Sequence, residues 1–202
     1  MAALDHVLYA LVWASFGLIH SWLAGDAAKA VLAPKLGAGY RLAYNLLAVL
    51  HIGVVLLIGY LLLGDRPEFD RSGAARIVMF SLHVGGWAAL LWSLRYYDLG
   101  RFSGLAQLRA RRRGEMLNDD EPLRLDGPHA WVRHPLYAAA HVVLWSAATT
   151  PLALQTAVWG SLYLLIGSYF EERRLLARYG EAYAAYRRQV PSLIPWKGRA
   201  LR

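Results

Sequence analysis

Polar residues cluster along this chain and leave long stretches almost free of them. Three such stretches, Val7 to Ala24, Leu42 to Leu63 and Ile77 to Leu94, approach the roughly 20 apolar residues that an α-helix needs to cross about 30 Å of hydrocarbon. Two shorter ones follow, Pro135 to Thr149 and Pro151 to Phe170, separated only by a Thr-Thr-Pro turn. Thr150 suits a helix N-cap, and Pro151 suits the first helical position, because proline lacks only an N–H that would be unpaired there. The pattern predicts an all-α integral membrane protein of five transmembrane helices, the last two a tight hairpin. A cytoplasmic helical extension follows at the C-terminus. Repeats, low-complexity tracts and heptads are absent from the sequence. Residues 1–202 therefore read as one membrane domain, with three spans in 1–94 and the candidate chemistry in 95–202.

Composition agrees with lipid as the solvent: 57% of the 202 residues are hydrophobic. With no cysteine, disulfides, thiolate nucleophiles and Cys-ligated metals are excluded. The net charge of +8 is distributed by topology. With five spans, 19 of the 22 Lys and Arg residues fall on one side, which the positive-inside rule makes cytoplasmic, leaving the N-terminus outside. No Lys or Arg precedes the first apolar run, whose length suits a span better than a cleaved leader. The run "RARRRGE", Arg109 to Glu115, is explained by topology, with attraction to anionic headgroups as the sharper alternative. No nucleic-acid partner is expected.

Arg133, His134 and Pro135 stand at the mouth of the fourth apolar run. The residue before proline is pushed out of the helical region, so His134 takes an extended cap position. Pro135 then opens a helix whose unpaired N–H groups offer a site for a carboxylate or phosphate. Gly127 permits a sharp turn upstream, and Tyr137 falls in the first helical turn. An interfacial cap with a snorkelling Arg and a belt Trp131 accounts for the same residues. Glu171 and Glu172 end the fifth run at a depth where a carboxylate is costly unless paired or solvated. A cationic ligand or Arg133 is a natural partner; a water-exposed helix start is the plainer reading. Tyr183 and Tyr186 lie one turn apart beyond them.

In combination these stretches resemble the isoprenylcysteine carboxyl methyltransferase and phospholipid methyltransferase superfamily. "GPHAWVRHPLY" is followed by "EERRL", "GEAYAAY" and "VPSLIP", a pattern covering residues 125 to 195. The resemblance implies S-adenosyl-L-methionine bound on the cytoplasmic side by the last two helices. Gly127, Val132, Arg133, His134, Pro135, Tyr137, Glu171 and Tyr186 would form its binding segment, and Arg133, Glu171 and Glu172 the catalytic set. Three positions depart from the family pattern: Ala139 replaces a common Gly, His129 an aromatic residue after Gly-Pro, and Gly167 an Arg of carboxyl methyltransferases. "FGLIHSWLA", "YRLAYNLLAV" and "DLGRFSGLAQ" are similar to the bacterial NnrU-type and methanethiol S-methyltransferase branch. That branch implies a bacterial inner membrane.

His20, His51 and His83 lie on three different predicted spans, with Asn45 near the second. Intramembrane ionisable groups are functional candidates by default. No pair of histidines has helical ligand spacing, so interhelical hydrogen bonds are preferred to a metal, and none is expected. His20, Asn45 and His141 are candidate substrate-pocket residues. His141 follows Tyr137 by four and reads as wall rather than base. The resulting expectation is a membrane-embedded methyltransferase acting on a small or lipid-soluble acceptor. Thiol S-methylation ranks ahead of phospholipid amine N-methylation, with carboxyl methylation of an isoprenylated cysteine last. A non-enzymatic NnrU-type accessory protein and a nicotinamide-dependent lipid reductase are the competing classes.

Overall fold

The computed structural model describes residues 2–115, 117 and 122–200, and every regular element among them is helical. In chain order these are α1 (Ala2–Ala24), α2 (Asp26–Leu36), a single-turn helix (Gly37–Gly39), α3 (Tyr40–Leu63), α4 (Gly73–Leu94), α5 (Leu99–Ser103) and α6 (Leu105–Arg112). A second tight turn (Gly127–Ala130), α7 (Pro135–Ser146), α8 (Pro151–Tyr179) and α9 (Glu181–Gln189) complete them. Three helical stretches are long and apolar enough to cross a membrane: Ala3–Ala24, Asp26–Leu63 and Gly73–Leu94. Their outer faces remain bare, with Leu18 and Leu61 each 73% exposed. In water such a surface is a liability; in lipid it is the solvated face.

The fourth and fifth runs form a helical hairpin, but its arms are unequal. Helix α7 has 12 residues, about 18 Å at 1.5 Å per residue, well short of a hydrocarbon core. Helix α8 has 29 and runs without a break past Phe170 to Tyr179, so Glu171 and Glu172 stand inside a continuous rod. Thr150 caps α8 as expected, its Oγ1 accepting from the Ala153 N–H at 3.1 Å.

The chain divides into two compact units. The first comprises described residues 2–66 and 98–117. Helices α1 and α3 pack together, and at one end the Tyr40 hydroxyl donates to the Leu23 carbonyl. At the other end Arg66 pairs with Asp5 at 3.2 Å. Helices α5 and α6 are tied to the start of α3 because Arg41 and Asn45 both donate to the Phe102 carbonyl, at 3.3 and 2.8 Å. Gly104 joins α5 to α6 at φ +92°, and a Cβ there would lie 2.5 Å from the Leu42 nitrogen. Only glycine fits that approach.

The second unit comprises residues 67–97 and 122–200. Helices α4 and α7 meet at Gly86, where a Cβ would lie 3.1 Å from the Val143 backbone nitrogen. Nearby, His83 Nδ1 and Ser146 Oγ are 3.1 Å apart. Between α7 and α8, Trp145 Nε1 donates to Ser161 Oγ at 2.9 Å. Ala157, Gly160, Ser161 and Ser168 are the buried residues of α8, small side chains of the kind that let membrane helices approach closely.

Gly86 and its neighbour Gly85 provide an internally controlled test of this packing, since a Cβ at Gly85 meets nothing within 4 Å. Gly86→Leu is expected to lose about 1–3 kcal/mol through overpacking. Gly85→Leu should leave the melting temperature in detergent unchanged. Equal melting temperatures for the two variants would refute the α4–α7 contact.

Candidate functional site

The site grows from the turn that precedes α7. Gly127 adopts φ +57°, and a Cβ on it would fall 2.1 Å from the Tyr96 ring, so the turn against that ring requires glycine. Val132 is buried behind it. His134 has φ −122° and ψ 69°, outside the helical region as its place before Pro135 demands, and Pro135 opens α7. The local sequence thus aims Arg133 and His134 away from the helix they introduce.

Both side chains meet α8 at its paired carboxylates. Arg133 Nε and Nη2 donate to Glu172 Oε1 at 2.9 and 2.5 Å. Arg133 Nη1 donates to the Val190 and Arg187 carbonyls at 2.5 and 3.2 Å, so all three guanidinium nitrogens are engaged. His134 is sandwiched between the two acids: Nε2 is 3.1 Å from Glu172 Oε1, and Nδ1 is 3.5 Å from Glu171 Oε2. Its ring stacks on Tyr137 at 5.5 Å with only 6° between planes. The Tyr137 phenol donates to Glu171. The Glu171 side chain is 38% exposed, whereas that of Glu172 is 15% exposed. Glu172 is therefore the internal anchor and Glu171 the carboxylate still open to a ligand.

The C-terminal arm closes over this quartet. Backbone N–H groups of Arg133 and His134 donate to the Pro191 and Ser192 carbonyls at 2.9 and 3.1 Å. Tyr186 donates through its hydroxyl to the His129 carbonyl at 2.7 Å. Tyr183, Tyr186 and Val190 form a buried cluster against Leu123, Leu175 and Tyr179. Burial, then the Glu172 charge, pushes the Tyr183 phenol up to about 12. For Glu171, burial raises the pKa, but the contacts from His134 and Tyr137 outweigh it and hold the carboxyl below its usual range. Glu171 is ionised at neutral pH, and its negative charge is what a cation would find.

The structure brings Gly127, Val132, Arg133, His134, Pro135, Tyr137, Glu171, Glu172 and Tyr186 into the second unit, in the neighbourhood of the quartet. His141 belongs to the same unit, one turn beyond Tyr137 on α7, with Nδ1 2.6 Å from the Tyr137 carbonyl oxygen. His20 and Asn45 belong to the first unit. There His20 Nε2 lies 2.5 Å from the Tyr44 hydroxyl, and His51 Nε2 lies 3.2 Å from Ser15 Oγ. Among the described residues no group of three or more His, Asp or Glu side chains forms a metal site.

Tyr97 was not legible as a site residue. It lies in a charged linker without a motif, yet its hydroxyl is 3.2 Å from His129 Nε2. Burial, then the Glu171 charge, raises its pKa. Tyr97 and Tyr137 thus both stand within the field of the open carboxylate. The backbone acceptors at Val190, Pro191 and Ser192 were equally hidden, although "VPSLIP" marks their segment.

A carboxylate kept ionised among aromatic rings is suited to a small organic cation. Comparison with known proteins bears on which cation. The chain is 33% identical over 158 residues to a methanethiol S-methyltransferase of Mycobacterium tuberculosis, covering 75% of this chain and 63% of that one. It is 35% identical over 138 residues to a methanethiol S-methyltransferase of Crocosphaera subtropica, covering 65% and 51%. It therefore spans between half and two thirds of the length of these two relatives. A third, methanethiol S-methyltransferase 2 of Bradyrhizobium diazoefficiens, is 32% identical over 187 residues, covering 92% of this chain and 71% of the relative. No family model matches, and no solved structure gives a significant match. On this similarity, the chain belongs to the methanethiol S-methyltransferase family.

Proposed function

We propose that this protein is a membrane-embedded, S-adenosyl-L-methionine-dependent methyltransferase that methylates a small thiol, with methanethiol the acceptor named in its relatives. The observation that carries the reading is the open, ionised Glu171 beside Tyr137, where the apolar stretch of α8 ends, in a chain with those relatives. The residues present fit the cofactor. Glu171 and the rings of Tyr137 and Tyr97 suit its ammonium and sulfonium, and the start of α7 suits its carboxylate.

When bound, S-adenosyl-L-methionine supplies a sulfonium methyl group open to in-line displacement by a thiolate. The chain's own contribution is to hold Glu171 in place. Arg133 and His134 are positioning residues: the fork from Arg133 fixes Glu172, and the His134 ring, clamped between the two acids, sets the rotamer of Glu171. The C-terminal arm excludes water from the inner face of that cluster. Removing water in this way strengthens each remaining electrostatic contact and favours alignment of the reactants.

Thiol methylation is preferred to carboxyl methylation on a further observation. Residue 167 is glycine and supplies no cation at the position where carboxyl methyltransferases of the resembling superfamily carry Arg. An N-out arrangement in which the short α7–α8 hairpin returns to the side it leaves, with the quartet on the cytoplasmic side of a bacterial inner membrane, accords with the Lys and Arg distribution.

Three outcomes test the reading. S-adenosylhomocysteine at 100 times its dissociation constant should stabilise the purified protein by about 2.7 kcal/mol, and NADPH should not. With S-adenosyl-L-methionine and methanethiol, headspace gas chromatography should detect dimethyl sulfide. Absence of both signals would favour the accessory-protein class instead. Glu171→Gln should weaken cofactor affinity at least about tenfold, the loss of one charge-assisted contact, while lowering the stability of the fold by only about 1 kcal/mol.

Arg133→Ala should behave differently, because it leaves Glu172 only His134 and the more distant, half-exposed Arg187, 3.9 Å away. An expected loss of about 2–4 kcal/mol of stability accompanies the loss of turnover. Arg133→Lys should recover only part of it, since an ammonium cannot reproduce the fork. An Arg133→Ala protein as stable as wild type would remove Arg133 from its positioning role.

A further inference from the structure

A thiol must lose its proton before it attacks, because the thiolate is the nucleophile. Within the quartet, Arg133 and His134 are committed to the two carboxylates, and Glu172 is committed to Arg133. Glu171 is needed as an anion facing the donor. The proton acceptor must be sought elsewhere in the second unit.

His141 has the required form. Its Nδ1 lies 2.6 Å from the backbone carbonyl oxygen of Tyr137. A carbonyl only accepts, so Nδ1 carries the hydrogen and donates, which leaves the lone pair on Nε2. Nε2 is sealed from solvent and has no hydrogen-bond partner among the described residues. Buried polar atoms without a partner are rare, and each calls for a reason. Four residues along α7 from Tyr137 amount to about 6 Å of rise on the same helix face. His141 therefore follows by one turn, on the same face of α7, the residue whose phenol donates to the carboxylate proposed to hold the donor.

We propose that His141 Nε2 is the general base that ionises the acceptor thiol. This rests on the thiol-methylating reading given above. The acceptor S–H bond breaks and its proton moves to Nε2. The freed sulfur electron pair forms the new bond to the methyl carbon, while the electrons of the old carbon–sulfur bond return to the donor sulfur. A thioether, S-adenosylhomocysteine and a protonated His141 result, and the proton is later lost to water. The hydrogen bond to the Tyr137 carbonyl serves this step twice, fixing the tautomer beforehand and stabilising the imidazolium afterwards.

Other polar groups are less suited. His129 Nδ1 is also sealed, but its ring is bonded to Tyr97 in the turn below the arm. His20 and His51 already share hydrogen bonds with Tyr44 and Ser15 in the first unit.

The variant His141→Asn keeps a donor where Nδ1 stands and deletes Nε2. It should retain the wild-type melting temperature and the stabilisation by S-adenosylhomocysteine. Two thiols of similar size but different acidity then separate a base from a wall. For ethanethiol, which arrives protonated, kcat/KM should fall at least about 100-fold; for the more acidic trifluoroethanethiol it should fall by less than about threefold. Independently of turnover, NMR of nitrogen-labelled histidine in the cofactor-free protein should assign His141 to the Nδ1–H tautomer. Equal losses for both thiols, no loss for either, or an Nε2–H tautomer would overturn the proposal. A folded wild-type protein inert towards every thiol would instead sink the thiol reading on which it rests.

Discussion

The second unit is organised around one guanidinium. Arg133 bridges segments that are distant in sequence: its own turn before α7, Glu172 on α8, and the backbone after α9. Each of those groups would be costly to bury without a partner. A carboxylate 15% exposed where the apolar stretch of α8 ends needs a cation, and carbonyls left over at a helix C-terminus need donors. A single planar fork satisfies both requirements at once. A lysine at position 133 would present a point charge and could not meet them in the same geometry.

From that constraint the order of the chain makes sense. The proline after His134 starts α7 at a defined residue, which fixes where the Arg133 and His134 side chains emerge. The 12-residue length of α7 and the turn to Pro151 then set α8 in register. Helix α8 continues for 29 residues, because its acids must stand on a rigid rod rather than at a frayed end. The tyrosine cluster of α9 presses the arm onto the turn, and the arm's carbonyls receive the N–H groups of Arg133 and His134.

Much of this was visible in the sequence for identifiable reasons. The lipid-facing helices announce themselves by length and apolarity, and Thr150 and Pro151 by cap chemistry. For the acidic pair and the Arg-His-Pro corner the residues alone allowed a plain interfacial reading as well, and only the combined family pattern favoured a site. The unequal hairpin was harder to read, since apolarity fades at Phe170 while the backbone remains helical to Tyr179. Hydropathy reports the solvent, not the hydrogen-bond ladder. Tyr97 was not legible because the Tyr96-Tyr97 pair in the short link after α4 carries no periodic signal to single out either ring. The base assignment at His141 also lay beyond sequence, which puts it on the Tyr137 face but cannot show one nitrogen tied to a carbonyl and the other left bare.

Adjacent acids on one helix are easily treated as a unit, yet Glu171 and Glu172 perform opposite tasks. Neighbouring residues project about 100° apart around a helix, so two carboxylates in sequence cannot face the same partner equally. Glu172 points into the arm, where Arg133 neutralises it. Glu171 points to the side bearing Tyr137 and Tyr97, with His134 and Tyr137 keeping it charged despite burial. Its depressed pKa means that the folded state favours the anion. The associated stabilisation is fully present above the ordinary carboxylate range and disappears as pH falls through the lowered value. A cation entering beside Glu171, as proposed, would meet a charge that the fold has already organised, with little reorganisation left for the moment of binding.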